Sequence, residues 1–258
     1  MMPLHPGQVH IWLFPFTQVD DAGLLARYEP LLSPLERACQ QRYYFEKDRR
    51  RYLCTRALER FVLSEYTHVP PMQWKFERNA YGKPEISRSH HPGIPPLRFN
   101  LSHTDRFIAC AVTLENDIGV DIEQMNGQID VMGIGSHYFS SQEKNDLEAC
   151  APLTRQENFF ELWTLKEAYM KARGLGLQIP LDAVTISHNG NQLLLSFSPA
   201  CPDAPERWQL HHYRLKHSCA LSFAVAASKS IKPQQVLMTK CIPFLSIAPV
   251  QHLLLYRT

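Results

Sequence analysis

The sequence has no apolar run long enough to span a bilayer, which takes about 20 residues. The longest candidate, residues 107–114, has the length of a buried strand. The N-terminus has no basic segment followed by an apolar core, so we expect no secretory signal and no membrane association. Eleven glycines among 258 residues, without a period, exclude a collagen-like chain.

Several common chemical signatures are also missing. The seven cysteines include no C-x-x-C pair, so we expect no zinc knuckle or thioredoxin-like site, and we predict reduced thiols in a cytoplasmic protein. There is no Walker loop, no G-x-G-x-x-G and no H-E-x-x-H, so an ordinary nucleotide cradle and a catalytic zinc are not expected. The absence of G-x-S-x-G argues against a serine hydrolase.

The chain has little excess charge of either sign, because its net charge is only +2. This bias is too weak to predict a nucleic-acid partner. Its distribution is uneven. Residues 37–60 hold eight basic and three acidic side chains, a surplus of five positive charges. This segment either binds a small polyanion or is a solvated helix face.

Local patterns predict helices and strands in alternation. Ser33, Pro34 and Glu36 form a helix start, with serine at the N-cap and proline at the first position. Helical spacing of apolar residues predicts helices over 47–66 and 155–173, the second ending at Gly174. The remaining predicted strands are 9–16, 74–77, 97–101, 107–114, 119–123, 183–188, 192–198, 208–215, 220–227 and 251–256.

The two halves of this pattern are alike, because each has a helix followed by antiparallel strands. We therefore expect an α+β fold of two similar halves related by a pseudo-twofold axis, with a ligand cleft between them. The predicted division is 1–115 for the N-terminal half, 116–228 for the C-terminal half and 229–258 for a C-terminal extension without an assigned role.

Asp121 and Glu123 are the first candidates for chemistry. On a strand their i, i+2 spacing puts both carboxylates on one face, with Val120 and Ile122 on the other. Such a pair favours a divalent cation such as Mg²⁺, together with substrate phosphate. The alternative is an exposed strand end with two solvated acids.

Glu167 and Lys171 lie at i and i+4 on the helix 155–173, among aromatic residues. Either they form a surface ion pair, or Glu167 is a third metal ligand or a general base. Ser102, His103 and Lys83 each carry groups that donate to phosphate oxygens. For Lys83 the alternative is an exposed lysine in a turn.

Four segments occur in the order and with the spacing found in the 4′-phosphopantetheinyl transferase superfamily. Together they resemble its longer, surfactin-type form over roughly residues 33–198. They are Tyr81-Gly82-Lys83-Pro84, Phe99-Asn100-Leu101-Ser102-His103, Gly119-Val120-Asp121-Ile122-Glu123 and Trp163-x-x-Lys166-Glu167-Ala168-x-x-Lys171.

The resemblance implies an enzyme that moves the phosphopantetheine arm of coenzyme A onto a serine of an apo acyl or peptidyl carrier protein and releases 3′,5′-ADP. It implies a cytoplasmic monomer of two halves, with Mg²⁺ as cofactor and Mn²⁺ as an alternative. The partners are coenzyme A and the carrier.

The resemblance also implies a role for each matching residue. Asp121, Glu123 and Glu167 would hold the metal, and Asp121 would also contact coenzyme A. Glu167, Lys171 and Glu143 would be the catalytic residues, with Glu143 as a second base. The remaining coenzyme A contacts would come from Lys83, Ser102, His103, Lys171 and an arginine for the 3′-phosphate, which we take to be Arg51.

One departure from the family concerns the first helix after Ser33. Surfactin-type members place lysines there, whereas this helix offers only Arg37. The 3′-phosphate must therefore depend on Arg42, Arg49, Arg50 or Arg51. A Mg²⁺-dependent phosphoesterase and a non-catalytic module that binds coenzyme A or a carrier remain the alternative functions.

Overall fold

The computed structural model describes residues 1–125, 129–216, 218–227 and 235–250, without the side chain of Leu177, and the backbone of 253–257. The α-helices in this part of the chain are α1 (Ala22–Tyr28), α2 (Pro34–Gln41), α3 (Glu46–Ser64), α4 (Val131–Tyr138), α5 (Ser141–Ala149) and α6 (Pro152–Arg173). The strands are β1 (Gln8–Phe14), β2 (Phe76–Arg78), β3 (Pro84–Ile86), β4 (Leu97–His103), β5 (Ile108–Leu114), β6 (Ile118–Gln124), β7 (Val184–Asn189), β8 (Gln192–Phe197), β9 (Trp208–Leu215), β10 (Cys219–Ala226), β11 (Gln235–Ile242), β12 (Ser246–Pro249) and β13 (Leu253–Arg257).

The helix boundaries follow the local signals in the sequence. The Ser33 side chain accepts a hydrogen bond from the Glu36 amide, and the Glu36 carboxylate accepts one from the Ser33 amide, which completes a capping box on α2. A stop signal ends α6: its C-cap, Gly174, has φ 62°, a left-handed conformation that glycine adopts without strain. The predicted helix starts and stops are therefore confirmed to within a few residues.

The strands form two main sheets and one small hairpin. The first sheet has the order β12-β11-β1-β5-β4 and the second β6-β10-β9-β13-β8-β7, while β2 pairs with β3. The mixed α+β class is confirmed. The main strands within 1–115 and 116–228 pair antiparallel, as predicted, for example β1 with β5 and β6 with β10. The parallel pairs, β11 with β1 and β13 with β8, involve strands of the C-terminal extension, for which no pairing was predicted.

The C-terminal segment contributes to both sheets. The sequence predicted one strand there, over 251–256, of which the first two residues lie outside the described part. In the structure β11 and β12 extend the first sheet and β13 enters the second. Buried Met238 and Cys241 fix β11 against the core. Residues 229–258 are thus partly integral to the sheets, and the boundary predicted between 115 and 116 falls in the turn between β5 and β6.

Three apolar clusters order the molecule into layers. One packs α3 against the outer face of the first sheet, and another packs α6 against the outer face of the second. Between them, the inner faces of the two sheets meet through residues of β1, β5, β6, β9 and β10. Strand alternation explains this, since Val120 and Ile122 enter the middle layer, whereas Gly119 and Asp121 alternate with them and contact α6.

The edges of the two sheets meet where β4 lies beside β6. The Asn100 side chain accepts a hydrogen bond of 3.0 Å from the Val120 amide. On its other side β6 touches α6 so closely that a Cβ at Gly119 would lie 2.1 Å from the Ala168 carbonyl oxygen. The contact of β4, β6 and α6 positions the candidate site.

Candidate active site

A cavity of about 630 Å³ opens between α3 on one side and β6 and α6 on the other. One wall is the face of α3 that carries Arg51, and the opposite wall is formed by β6 and α6. The end of β4 lies between them. Of the residues predicted for the site, the cavity is lined by Arg51, Ser102, His103, Asp121, Glu123, Glu167 and Lys171.

The acidic wall results from two regular periods. Alternation on β6 turns Asp121 and Glu123 away from the apolar middle layer and into the cleft. On α6, Trp163, Glu167 and Lys171 follow at four-residue intervals and share one helix face. Because Gly119 brings the helix against the strand, carboxylates from both elements meet in one cavity.

At the centre of the cleft, Lys171, Ser102 and Asp121 form a closed set of hydrogen bonds. The Lys171 ammonium donates to Asp121 Oδ1 at 2.6 Å and to Ser102 Oγ at 3.0 Å. Ser102 Oγ in turn donates to the same carboxylate oxygen at 2.8 Å. Residues of β4, β6 and α6 are thus joined at one point by charge-assisted contacts.

Burial and neighbouring negative charge raise the pKa of the other two carboxyls. Burial, and next the charge of Asp121, raise the pKa of Glu123 to about 7. Burial is also the main cause that raises the pKa of Glu167, with Asp121 adding to it and Lys171 opposing it. Both groups are held in a setting where an added positive charge would favour their ionised forms.

The side chains fit a hard divalent cation in kind. Asp121 is 3% exposed, and its Oδ2 is buried without a hydrogen-bond partner among the described residues. Glu123 and Glu167 supply further carboxylate oxygens in the same cavity. Within the described part of the chain no three His, Cys, Asp or Glu side chains form a ready-made metal cluster. This donor set suits Mg²⁺, which commonly takes one or two carboxylates and completes its shell with water and substrate phosphate.

The opposite wall is basic. Asp48, Arg51, Tyr52, Thr55 and Arg56 line the cavity at the spacing of one α3 face. Arg51 donates to Asp48 at 2.6 Å and to Asp105 at 3.0 Å, so its guanidinium is held in the cleft by two carboxylates.

Arg56 is a cleft residue that the sequence reasoning missed. Its guanidinium lies 2.9 Å from buried Glu59 and 5.6 Å from the Tyr52 ring centroid. Tyr52 is next to Arg51 in the sequence, and Arg56 follows Tyr52 by four residues, so the two share a helix face. This spacing is the signal that could have identified Arg56. Arg42, Arg49 and Arg50, the other candidates for the 3′-phosphate, are not among the lining residues.

Two family models match the chain in tandem. Residues 25–115 match "4'-phosphopantetheinyl transferase, N-terminal", and residues 117–226 match "4'-phosphopantetheinyl transferase superfamily". The transferase HetI of a Nostoc species is 32% identical over 87% of this chain and 90% of its own length. The chain belongs to the 4′-phosphopantetheinyl transferase superfamily.

Other relatives in this superfamily align along most of the chain. The transferase psf-1 of Bacillus pumilus is 31% identical over 92% of this chain and 96% of its own, and Sfp of Bacillus subtilis is 29% identical over 82% and 89%. These matches confirm the long, surfactin-type form. A solved holo-[acyl-carrier-protein] synthase of Thermotoga maritima covers 44% of this chain and 64% of its own at 16% identity. Its TM-score of 0.37 is too low to bear on the fold.

Lys83, which the transferase resemblance assigned to the substrate phosphates, has its ammonium elsewhere. Nζ donates to the Ile118 carbonyl at 3.1 Å and to the Ala172 carbonyl at 3.0 Å. Lys83 does not line this first cavity, although Pro84 beside it does, but it lines the second cavity described below. Its contacts are therefore with the main chain of β6 and α6.

A second cavity, of about 540 Å³, continues from the first. The two cavities share Glu167 and Lys171 on α6, Asn100 and Leu101 on β4, and Pro84 on β3. Beyond these residues the second cavity is mostly apolar, and its lining includes Tyr81, Tyr138, Met170, Ile179 and Leu181. The two cavities thus form one continuous cleft, whose first part is lined by charged groups and whose second part is lined mostly by apolar groups.

Glu143 does not reach the cleft, so its predicted role as a second base does not fit its position. It is fully buried, caps α5, and accepts hydrogen bonds from the amides of Ser140 and Ile186. Its carboxylate lies 2.7 Å from the Lys166 ammonium, which is itself 1% exposed. Glu143 and Lys166 therefore form a buried ion pair, and the contacts of Glu143 join α5, α6 and β7.

We expect Glu143→Ala to lower the free energy of unfolding by about 3–5 kcal/mol, because it leaves the charge of Lys166 buried without its carboxylate partner. The kcat of the remaining folded enzyme should change little. Denaturant unfolding checks the first expectation and active-site-normalised kinetics the second. Glu148→Ala, on the exposed side of α5, is the matched control and should cost less than about 0.5 kcal/mol. A large loss of kcat without a loss of stability would restore the catalytic role.

Proposed function

We propose that the chain transfers the 4′-phosphopantetheine arm of coenzyme A to a serine of an apo acyl or peptidyl carrier protein, with release of 3′,5′-ADP. One observation carries the proposal: a single cleft opposes an arginine-bearing helix to three carboxylates and a lysine. Coenzyme A has the matching charges, since its 3′-phosphate and pyrophosphate are separate anionic groups. Family membership supports the same reaction.

In the proposed complex the basic wall binds the 3′-phosphate. Arg51 and Arg56 can each form a charge-assisted contact with phosphate oxygens from the α3 side of the cavity. Ser102, His103 and Lys171 lie in the same cavity, across from the basic wall, and donate to the pyrophosphate. Partial burial, and next the charge of Arg51, lower the pKa of His103, so the imidazole binds mainly through its neutral N–H donor near pH 7.

Asp121, Glu123 and Glu167 would hold Mg²⁺, with Mn²⁺ as an alternative. When bound, the cation would supply positive charge to the pyrophosphate and so stabilise the transition state. It would also oppose the two effects that raise the pKa of Glu123, which are burial and the charge of Asp121. The chain's own contribution is to keep these carboxylates on one wall beside Lys171.

Glu167 takes the proton from the carrier serine as the serine oxygen bonds to the β-phosphorus. The bond between that phosphorus and the bridging oxygen breaks, and 3′,5′-ADP leaves with the electron pair. Lys171 stabilises the departing phosphate through its ammonium, which already donates to Ser102 and Asp121. The atoms balance without a covalent intermediate on the enzyme.

The second cavity would receive the pantetheine arm. It begins at Glu167 and Lys171, where the reacting phosphorus would lie, and its apolar lining suits the gem-dimethyl and methylene groups of the arm. The carrier serine would approach the same junction.

We also propose that the two halves, 1–115 and 116–228, are related by a pseudo-twofold axis and that the protein acts as a cytoplasmic monomer. Each main sheet is covered on its outer face by one long helix, which supports the proposed duplication. None of the seven cysteines forms a disulfide bond among the described residues, in keeping with a reducing compartment. No helix among the described residues is both long and apolar enough to cross a membrane.

Incubation of the protein with coenzyme A, Mg²⁺ and an apo carrier protein tests the proposed reaction. A mass gain of one phosphopantetheine on the carrier, with stoichiometric 3′,5′-ADP, is the expected result. Cleavage of coenzyme A without modification of the carrier would identify a phosphoesterase. Binding without either product would identify a non-catalytic module.

We expect Arg51→Ala to raise the KM for coenzyme A by about tenfold to a hundredfold more than the KM for dephospho-coenzyme A, which lacks the 3′-phosphate. Steady-state kinetics with both substrates measure this difference. Arg42→Ala, an exposed arginine outside the cavity, is the matched control and should affect both substrates equally. Equal effects of Arg51→Ala on the two substrates would remove Arg51 from the 3′-phosphate site, and Arg56→Ala would then be the variant that shows the difference.

A further inference from the structure

The turn between β2 and β3 contacts the end of α6. Asn79 Oδ1 accepts hydrogen bonds from the amides of Tyr81 and Lys83, at 2.9 and 3.0 Å, and so fixes the shape of the turn. Asn79 Nδ2 donates to the Gly174 carbonyl at 2.8 Å. A segment from the N-terminal half thereby binds the helix that carries Glu167 and Lys171.

Lys83 extends this contact to a second element. Its ammonium donates to the carbonyl of Ala172, in the last turn of α6, and to the carbonyl of Ile118, the first residue of β6. Carbonyls in a last helical turn have no partner within the helix and lie at the negative end of its dipole. The ammonium satisfies one of them and binds the start of β6 at the same time. We call this pair of contacts the Lys83 bridge.

Close contacts on both sides of the Lys83 bridge prevent α6 from shifting against the turn or against β6. A Cβ at Gly174 would lie 2.9 Å from Lys83 Cδ and 3.1 Å from Asn79 Nδ2, so the helix end is in contact with the turn. At Gly119, one residue beyond the bridged carbonyl, a Cβ would lie 2.3 Å from the Ala172 amide nitrogen. The bridge and the glycine contact therefore set the same distance between β6 and α6.

We infer that Lys83 is a positioning residue, whose bridge fixes β6 against α6 and so sets the spacing of Asp121 and Glu123 from Glu167 and Lys171. The inference rests on the proposed function. It replaces the phosphate contact expected for Lys83 from the sequence with main-chain contacts of its ammonium, at a residue that lines the second cavity. The ammonium acts on the reaction only through the two elements that it joins.

Lys83→Met keeps the apolar stem and removes the bridge. We expect kcat to fall by between about tenfold and a hundredfold, because small displacements of catalytic groups have effects of this size. The KM for coenzyme A and that for dephospho-coenzyme A should both stay within about threefold of the native values, since methionine keeps an apolar side chain where Lys83 lines the second cavity and no phosphate contact is lost. Kinetics well below the melting temperature keep global unfolding out of the comparison.

Two further variants make the result specific. Lys83→Arg retains a cationic donor at the end of a long stem and should restore part of kcat, which a loss of packing alone would not explain. Lys75→Met removes an exposed lysine from the segment that leads into the same hairpin and should leave the kinetics unchanged.

Hydrogen exchange of the ligand-free protein tests the bridge without any reaction. In Lys83→Met, amides of residues 168–174 and 118–124 should exchange faster than in the native protein, whereas those of α3 should not change. A lysine that only contacts substrate phosphate would leave ligand-free exchange unaltered. This readout holds even if the native protein transfers nothing, so failure of the bridge and failure of the proposed function are distinguishable.

Two results would overturn the inference. One is unchanged exchange at both segments in Lys83→Met. The other is a rise in KM for coenzyme A with kcat unchanged, which would return Lys83 to the substrate phosphates.

Discussion

Glu167→Gln is expected to lower kcat by about 10²–10⁴-fold even at saturating Mg²⁺, the usual contribution of a positioned proton acceptor. The substitution keeps the size of the side chain and one coordinating oxygen but removes its basicity. Bound Mg²⁺ and the Lys171 ammonium would keep Glu167 ionised and able to accept a proton. Rates measured across a Mg²⁺ titration at saturating coenzyme A and carrier give the result.

The Mg²⁺ titration separates the two roles assigned to Glu167. If Glu167 were only a metal ligand, weakened binding would be overcome by mass action and the rate would return as Mg²⁺ increases. Full recovery would contradict the base role. Glu157→Gln is the matched control, because Glu157 lies on α6 in a half-exposed ion pair with Arg214 and should leave kcat unchanged.

Asp121→Ala is expected to reduce transfer by more than about 10³-fold, because several kcal/mol of transition-state stabilisation depend on the charge at this point. The variant removes a metal ligand and also the carboxylate that receives the Lys171 ammonium and the Ser102 hydroxyl. The fold should survive, since like-charge repulsion at Glu123 is relieved and the Lys171 side chain, 29% exposed, can remain hydrated. Carrier mass gain measures activity, and circular dichroism with thermal unfolding measures folding.

The control for Asp121 removes a carboxylate of the same kind elsewhere. Asp146 is exposed on α5, and Asp146→Ala should retain native transfer and stability. Asp121→Asn keeps the shape of the side chain and should remain as inactive as the alanine variant if charge decides the effect. A folded Asp121→Ala protein with native turnover would exclude Asp121 from the metal site.

Much of the site could be predicted because its residues obey local periods. Asp121 and Glu123 face the cleft through alternation on β6, and Glu167 and Lys171 share a face through the helical repeat on α6. Arg56 was missed although it belongs to the same α3 face as Arg51. The reason is that the basic segment contains more arginines than the cleft can contact, and only the packing of α3 selects among them.

Lys83 and Glu143 show the limit of motif reasoning. Both occupy positions that the family resemblance associated with chemistry, yet their charged atoms bind main-chain carbonyls, amides or Lys166. Within a motif, a side chain whose charged atoms face the cleft and one whose charged atoms bind the main chain or a buried partner have the same sequence spacing. Burial and hydrogen-bond partners distinguish them, and these arise from contacts between distant segments.

By itself the sequence determined the local elements: the capping box of α2, the Gly174 end of α6, the hairpin of β7 and β8, and the faces of β6 and α6. These follow from dihedral preferences and side-chain periods within a few residues. Only the tertiary structure decided that β11 pairs with β1, that β13 lies between β9 and β8, and that Lys83 joins β6 to α6. Such pairings are chosen by burial across long sequence separations, where many registers satisfy the same local rules.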